Sequence, residues 1–280
     1  MDHTHIEKPN ELARYREQLS QRRVATIAMD FEGEFNLHQY GEKLCLIQIF
    51  DGAEFATIDP FGLSPTALKD FLESRNILKI MYDSLSDQAL VGKQYDAEIA
   101  SILDIRPAVE LLEYPKKDLS SVIHQALGVE LSTKKKFQRY NWTRRPLSEE
   151  AVSYALSDVA YLFQLKDRLL AELIHAGLID AYFLANLRLQ GKSEAGNQPP
   201  RLLRSNRVKK MSADKRKRFE QLFALRDEVA RELNLPPNSV IQNEDLFALA
   251  AGDRAPQDLT FNPRVPTQHR HELVKKMSEL

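Results

Sequence analysis

The stretch Val24 to Gly33, VATIAMDFEG, decides the fold of this chain. Val24 to Asp30 is apolar and β-branched, and Gly33 follows closely, which predicts a buried strand running into a turn. Side chains two apart on a strand share a face, so Asp30 and Glu32 project to one side where the apolar run ends. Two carboxylates held side by side repel each other. A fold accepts that most readily when a hard divalent cation lies between them. Taken alone, the pair reads more simply as a solvated strand end. Glu34 would share the face only if the strand continued through Gly33, and it is left out of the candidate site.

Outward from this strand the pattern alternates. Leu44 to Phe50, LCLIQIF, predicts a second strand closed by Asp51-Gly52, and Glu54 to Ile58 a short third, giving an antiparallel meander. Pro9 and Asn10 lead a polar first helix over 9–20. Helices are predicted at 64–74, 86–93, 118–127, 148–173 and 178–190, with apolar strand-like segments at 77–81 and ending at Asp104. Strands followed by mixed elements imply an α/β domain, a mixed sheet with helices on its faces. The composition shifts at 191–200, GKSEAGNQPP, which has the Gly, Ser and paired Pro of a linker. The expected organisation is a domain over 1–190, a basic linker over 191–211 and a small all-α domain over 212–280, with Leu222, Leu225, Val229 and Leu233 on one helical stripe.

The 280 residues are 43% hydrophobic and 28% charged, the balance of a globular chain. A formal net charge of −1 carries no global signal for nucleic acid, so any such binding rests on local patches. The single cysteine, Cys45, excludes a disulfide framework and fits a reducing compartment. There is no apolar run of membrane-spanning length and the N-terminal residues lack a signal-peptide core, so the expected address is the cytoplasm.

Three further acids or phenols stand at element ends. Asp87 falls in the first turn of the helix after ILKIM. In SEEAVSYALSDVAYLF, residues 148–163, Ser148 is the expected N-cap, and Tyr154 and Asp158 lie four apart on one helical face. Singly, each reads as an ordinary helix residue. Together, Asp30-x-Glu32, KIMYDSLSD ending at Asp87, and Tyr154-x-x-x-Asp158 resemble the three exonuclease motifs of the DEDD superfamily, in the subgroup whose last motif carries tyrosine. LCLIQIFDG, EYPKKDLSSVIHQALGVEL and NWTRRPLSEEAVSYALSDVAYL extend the resemblance to bacterial ribonuclease D over residues 5–190. FALRDEVARELNLPPNSVIQNEDLFALAAGDRAPQDL is similar to the HRDC domain. Tyr82 departs from the histidine usual in ribonuclease D, and there is room for one HRDC-like module where some relatives have two.

The resemblance implies an RNase H-like mixed sheet and two-metal-ion hydrolysis of phosphodiesters from a 3′ end, releasing nucleoside 5′-monophosphates. It implies that Asp30 bridges two divalent cations, Glu32 and Asp158 complete the site that activates water, Asp87 holds the second ion through water, and Tyr154 orients the attacking water. Carboxylates without a His or Cys cluster suit Mg²⁺ or Mn²⁺ rather than structural zinc. The expected partner is the 3′ end of single-stranded RNA, with tRNA precursors the expected source. The same motifs are compatible with DNA 3′ ends, with very short oligonucleotides, or with a non-catalytic RNA-binding adaptor.

The expected RNA surface is KKKFQRYNWTRR, residues 134–145, which interleaves cations with aromatics. Its candidate contacts are Lys134, Lys135, Lys136, Arg139, Trp142, Arg144 and Arg145, although Trp142 reads equally as a core anchor. A second basic tract, 201–218, holds nine Lys or Arg against Asp214 alone and supplies Lys209 and Lys210 as candidates.

Overall fold

The computed structural model describes residues 1–131, 136–191 and 199–280. They group into two units. The first holds residues 1–33, 43–131 and 136–191, and the second holds 34–42 and 199–280.

The first unit is built on a six-stranded sheet: β1 (Thr4–Ile6), β2 (Thr26–Phe35), β3 (Glu42–Phe50), β4 (Phe55–Ile58), β5 (Leu78–Met81) and β6 (Ile102–Asp104), in the order β1-β4-β3-β2-β5-β6. β3 and β4 form the antiparallel step expected from the meander, whereas β2, β5 and β6 run parallel, with Ala28 opposite Ile80 and Met81 opposite Asp104. Parallel neighbours end at the same edge of a sheet. Asp30 and Glu32, just past the part of β2 paired with β5, therefore share that edge with the start of the element after β5 and the end of β6.

Alternation along β2 sets the two layers. Ile27, Met29 and Phe31 enter a core with Leu12, Leu19, Phe71 and Leu72 from helices α1 (Pro9–Gln21) and α2 (Pro65–Leu72), which also takes Leu90 and Val91 of α3 (Leu85–Tyr95). Ala28 on the other face packs with Ile80 and with side chains from α4 (Arg106–Leu111), α5 (Leu119–Leu127), α7 (Leu162–His175) and α8 (Ile179–Leu189). Asp30 and Glu32 keep the register of Ala28, so they face the side on which α6 (Glu149–Ala160) lies.

Three local features depart from the sequence expectations. β2 runs through Gly33 to Phe35, and Glu34 is buried, its carboxylate accepting from the backbone N–H of Leu37 and His38. The single helix expected over 148–173 is two, α6 and α7, with Tyr161 leaving helical geometry between them (φ −111°, ψ 1°). β1 was not expected. It is three residues long, with Ile6 its one buried side chain, and pairs in parallel with β4.

The second unit packs α9 (Asn206–Lys209), α10 (Ala213–Glu232), α11 (Pro237–Val240), α12 (Asn243–Ala251) and α13 (Thr267–Ser278) around Phe219, Leu222, Leu246, Leu273 and Met277. Phe219 and Phe247 stack with ring centres 4.6 Å apart. Tyr40 joins this core, and its hydroxyl donates to Asp227 over 2.7 Å. No helix among the described residues is long and apolar enough to cross a membrane.

Gly62 fits because it lacks a side chain: a Cβ there would overlap the carbonyl oxygen of Glu7. Because the obstacle is backbone, Gly62→Ala is expected to lower stability by about 1–3 kcal/mol, read as a fall in Tm. An unchanged Tm would mean that the segment joining β1 to α1 moves freely.

Candidate active site

The site is assembled from the acid edge of the sheet and one helix. Asp30 and Glu32 stand on β2, and Asp87 stands in the first turn of α3, directly after β5. α6 begins where Ser148 accepts a hydrogen bond from the Ala151 N–H, the expected N-cap. Ala151 and Ala155 then lie against Cys45 and Leu46, letting the helix approach β3 closely. One turn separates Tyr154 from Asp158, so both reach the cleft. The cleft has a volume of about 290 Å³, and its lining includes Asp30, Tyr82, Tyr154, Ser157 and Asp158. A larger cavity, about 910 Å³, opens beside Val152 and Ser153 on another face of α6 and is lined by none of the four acids.

All five residues are half-buried, and each acid is harder to ionise than an isolated one. Burial pushes Asp30 up to about 6, with the Phe31 N–H opposing the shift. Burial, then repulsion from Asp30, Asp158 and Asp87, holds Glu32 well above the usual carboxylate range. Asp87 is raised by burial and then by Asp30, Asp104 and Asp83. Asp158 is pushed up to about 8 by burial and by Asp30. The Tyr154 phenol is raised by burial and then by Asp158, Glu32 and Asp30, so it keeps its proton at neutral pH. The structure therefore brings together all five residues singled out in the sequence motifs.

Among the described residues no three His, Cys, Asp or Glu side chains already form a ready-made metal cluster. The donor set nonetheless fits a hard cation: carboxylate oxygens from three segments, raised in pKa by one another's charge, with no thiolate or imidazole among them. A divalent ion would remove the repulsion that the fold otherwise holds in place.

Two of the candidate contacts in the basic loop have partners inside the protein. Trp142 is 3% exposed and sits with Phe137, Ala151 and Ala155 in the core, its ring 4.8 Å from that of Tyr140. It anchors the loop and does not present a face to RNA. Arg145 is used internally: its guanidinium donates to the Asp59 carboxylate and to the carbonyls of Trp142, Arg144 and Cys45. Lys136 pairs with Glu150 at 2.5 Å and lies over the Phe137 ring. Arg139 and Arg144 are exposed. Lys134 and Lys135 fall outside the described residues. Lys209 and Lys210 are exposed and belong to the second unit.

Sequence reasoning also missed two participants. Phe137 is buried and stacks on Tyr154 with ring centres 4.8 Å apart, which fixes the phenol ring. Asp104, noted only as the end of an apolar run, is 2% exposed and binds the turn that precedes Asp87. The signal for Phe137 was its place in an aromatic-rich loop, which was read as a surface for bases.

A 3′-5′ exonuclease family model matches residues 4–174, and an HRDC domain model matches residues 215–260. The chain belongs to the 3′-5′ exonuclease family. It is 28% identical over 218 residues to ribonuclease D of Sphingobium indicum, covering 76% of this chain and 56% of that protein. Ribonuclease D of Zymomonas mobilis is 30% identical over 239 residues, covering 81% of this chain and 59% of that one. The chain thus spans somewhat over half the length of these curated relatives. The crystal structure of Escherichia coli RNase D superposes with a TM-score of 0.73 at 25% identity, covering 100% of this chain and 76% of that one. The six-stranded mixed sheet with a helical HRDC domain is the fold of that exonuclease, and the family requires divalent metal ions.

Two measurements probe this geometry. A carboxyl whose folded pKa is raised adds stability that is complete below its unfolded pKa near ~4 and is lost as pH climbs through its folded value. For Asp30 and Asp158 the loss runs from there through about 6 and about 8. In chelator, the Tm advantage of Asp158→Asn over wild type is expected to grow across that window, and added Mg²⁺ to erase it; a pH-independent difference would contradict the crowding of charge. Separately, Arg145→Ala leaves buried Asp59 unpaired and is expected to cost roughly 2–3 kcal/mol in thermal melts, while Arg144→Ala stays within about 0.5 kcal/mol.

Proposed function

We propose that the chain is a metal-dependent 3′→5′ exoribonuclease that removes nucleoside 5′-monophosphates from single-stranded RNA 3′ ends, with tRNA precursors or RNA undergoing turnover as substrates. The observation that carries this reading is the close approach of Asp30, Glu32, Asp87, Tyr154 and Asp158, within reach of one another's charge, in an exonuclease-family chain, with Asp30, Tyr154 and Asp158 lining one cleft. At about 290 Å³ the cleft suits one terminal nucleotide rather than a duplex, near the low end of the ~300–1,000 Å³ typical of small-ligand pockets.

Asp30, Glu32, Asp87 and Asp158 would hold the two divalent ions, Mg²⁺ or Mn²⁺. Such ions supply charge stabilisation for the attacking and leaving oxygens of an in-line displacement. The protein's part is positioning. Tyr154, clamped by Phe137 and protonated, donates a hydrogen bond that orients the attacking water and does not act as a base. Exposed Arg139 and Arg144 offer charge to the RNA backbone beside the catalytic helix, as do Lys209 and Lys210 in the second unit. The site ligands hold phosphate and metal rather than sugar, so preference for RNA over DNA rests on surfaces outside the acids. A cytoplasmic address accords with the lone buried Cys45.

The test is a time course on 5′-labelled single-stranded RNA, with matched DNA and dinucleotide, in Mg²⁺, Mn²⁺ or chelator. Wild type is expected to give a metal-dependent ladder shortening from the 3′ end. Asp158→Ala is expected to lower the rate by more than the ~10–100-fold seen for outer-shell residues, and Tyr154→Phe by about 10²-fold, with RNA binding retained in both. RNA binding without a ladder in wild type would favour the adaptor reading instead.

A further inference from the structure

Asp104 ends β6, opposite Met81 at the end of β5, and is almost fully buried. Its carboxylate accepts four hydrogen bonds. One oxygen receives the backbone N–H of Asp83 at 3.0 Å and of Arg106 at 2.9 Å, and the other receives the N–H of Ser84 at 2.7 Å and its hydroxyl at 2.8 Å. Four bonds fill the acceptor capacity of a carboxylate, so Asp104 has no lone pair left for a metal ion. Its own backbone is tied to α8: its N–H donates to Asn186 at 2.7 Å, and its carbonyl accepts from Asn186 and Tyr182, each at 3.1 Å.

What these bonds hold is the turn between β5 and α3. Asp83 lies in the left-handed region at φ +60°, a conformation that a non-glycine residue keeps only when its surroundings fix it. Ser84 is the N-cap of α3, its side chain does not cap the helix, and its hydroxyl is turned to Asp104 while accepting from Gln88 at 3.1 Å. Asp87 lies three residues on, in the first turn. The direction of that turn sets where its carboxylate stands against Asp30.

We infer that Asp104 is a positioning residue for the exonuclease reaction, fixing Asp87 in the acid cluster through the Asp83–Ser84 turn. The inference rests on the function proposed above. Asn in its place would turn an amide NH₂ toward at least one backbone N–H whichever way it faced, releasing one side of the turn.

Asp104→Asn and the milder Ser84→Ala, which leaves three of the bonds, test this in the full chain. Two readouts are used: kcat and KM on labelled RNA, and the Tm gained on titrating MnCl₂ without RNA. Asp104→Asn is expected to lower kcat about 10–100-fold and raise the half-saturating Mn²⁺ about tenfold. KM should stay within roughly twofold, because binding of the RNA itself is unchanged. Ser84→Ala is expected to move both quantities the same way by a smaller factor. Wild-type kcat and Mn²⁺ response in Asp104→Asn, even with a lower Tm, would overturn the inference and leave Asp104 a structural residue. If Asp104→Asn does not fold, unchanged values in Ser84→Ala would overturn it equally. Should wild type not cleave RNA, the exonuclease reading falls while the Mn²⁺ midpoints still decide the role of Asp104. Absence of both cleavage and Mn²⁺ response in wild type would remove both.

Discussion

Four carboxylates stand within reach of one another's charge, and each raises the cost of ionising its neighbours. Much of the first unit is arranged to impose that closeness. Parallel pairing of β2, β5 and β6 brings strand ends to one edge, delivering Asp30, Glu32 and the start of α3 together. Two alanines, Ala151 and Ala155, let α6 lie close to β3. Larger residues there would lift Tyr154 and Asp158 away from the sheet. The repulsion is opposed by packing on both faces of the sheet, and folding alone does not relieve it.

The contrast between Asp104 and its neighbours shows that residue type does not decide a role. Asp104 is the more deeply buried, yet every oxygen lone pair meets a donor, and it works as a structural tie. Asp30, Glu32, Asp87 and Asp158 are less buried but are surrounded mainly by one another. A carboxylate with its donors satisfied organises backbone, whereas one left facing other carboxylates is available to a cation.

That contrast also explains what the sequence could convey. The alternation of VATIAMDFEG reports a strand face directly, because a period of two needs no knowledge of the partner strand, and the Tyr154–Asp158 spacing reports a helical face in the same way. The N-cap at Ser148 is local chemistry and is likewise legible. Asp104 was not, since its role depends on Asp83 and Ser84, 21 and 20 residues earlier, and on Asn186, 82 residues away. β1 was missed because three residues with one buried side chain carry no period. The break at Tyr161 has neither Pro nor Gly to announce it. Gly33 suggested a turn, but β2 passes straight through it, and the turn comes later where Glu34 holds Leu37 and His38.

The basic loop is the sharpest case of composition without position. Interleaved cations and aromatics look like a platform for phosphates and bases, and in isolation either assignment satisfies the chemistry. What separates them is whether the ring has a better partner inside the protein. Phe137 and Trp142 do: a tyrosine and two alanines of the catalytic helix complete a cluster in which both are buried. Arg145 follows the same logic, since Asp59 and three carbonyls use its donors. The loop's aromatics thus contribute to the site indirectly, by packing against Tyr154. A loop whose aromatics are spent on packing against α6 leaves its side chains unequal in role, because the same short stretch of chain holds a buried anchor at Trp142 and exposed charge at Arg144.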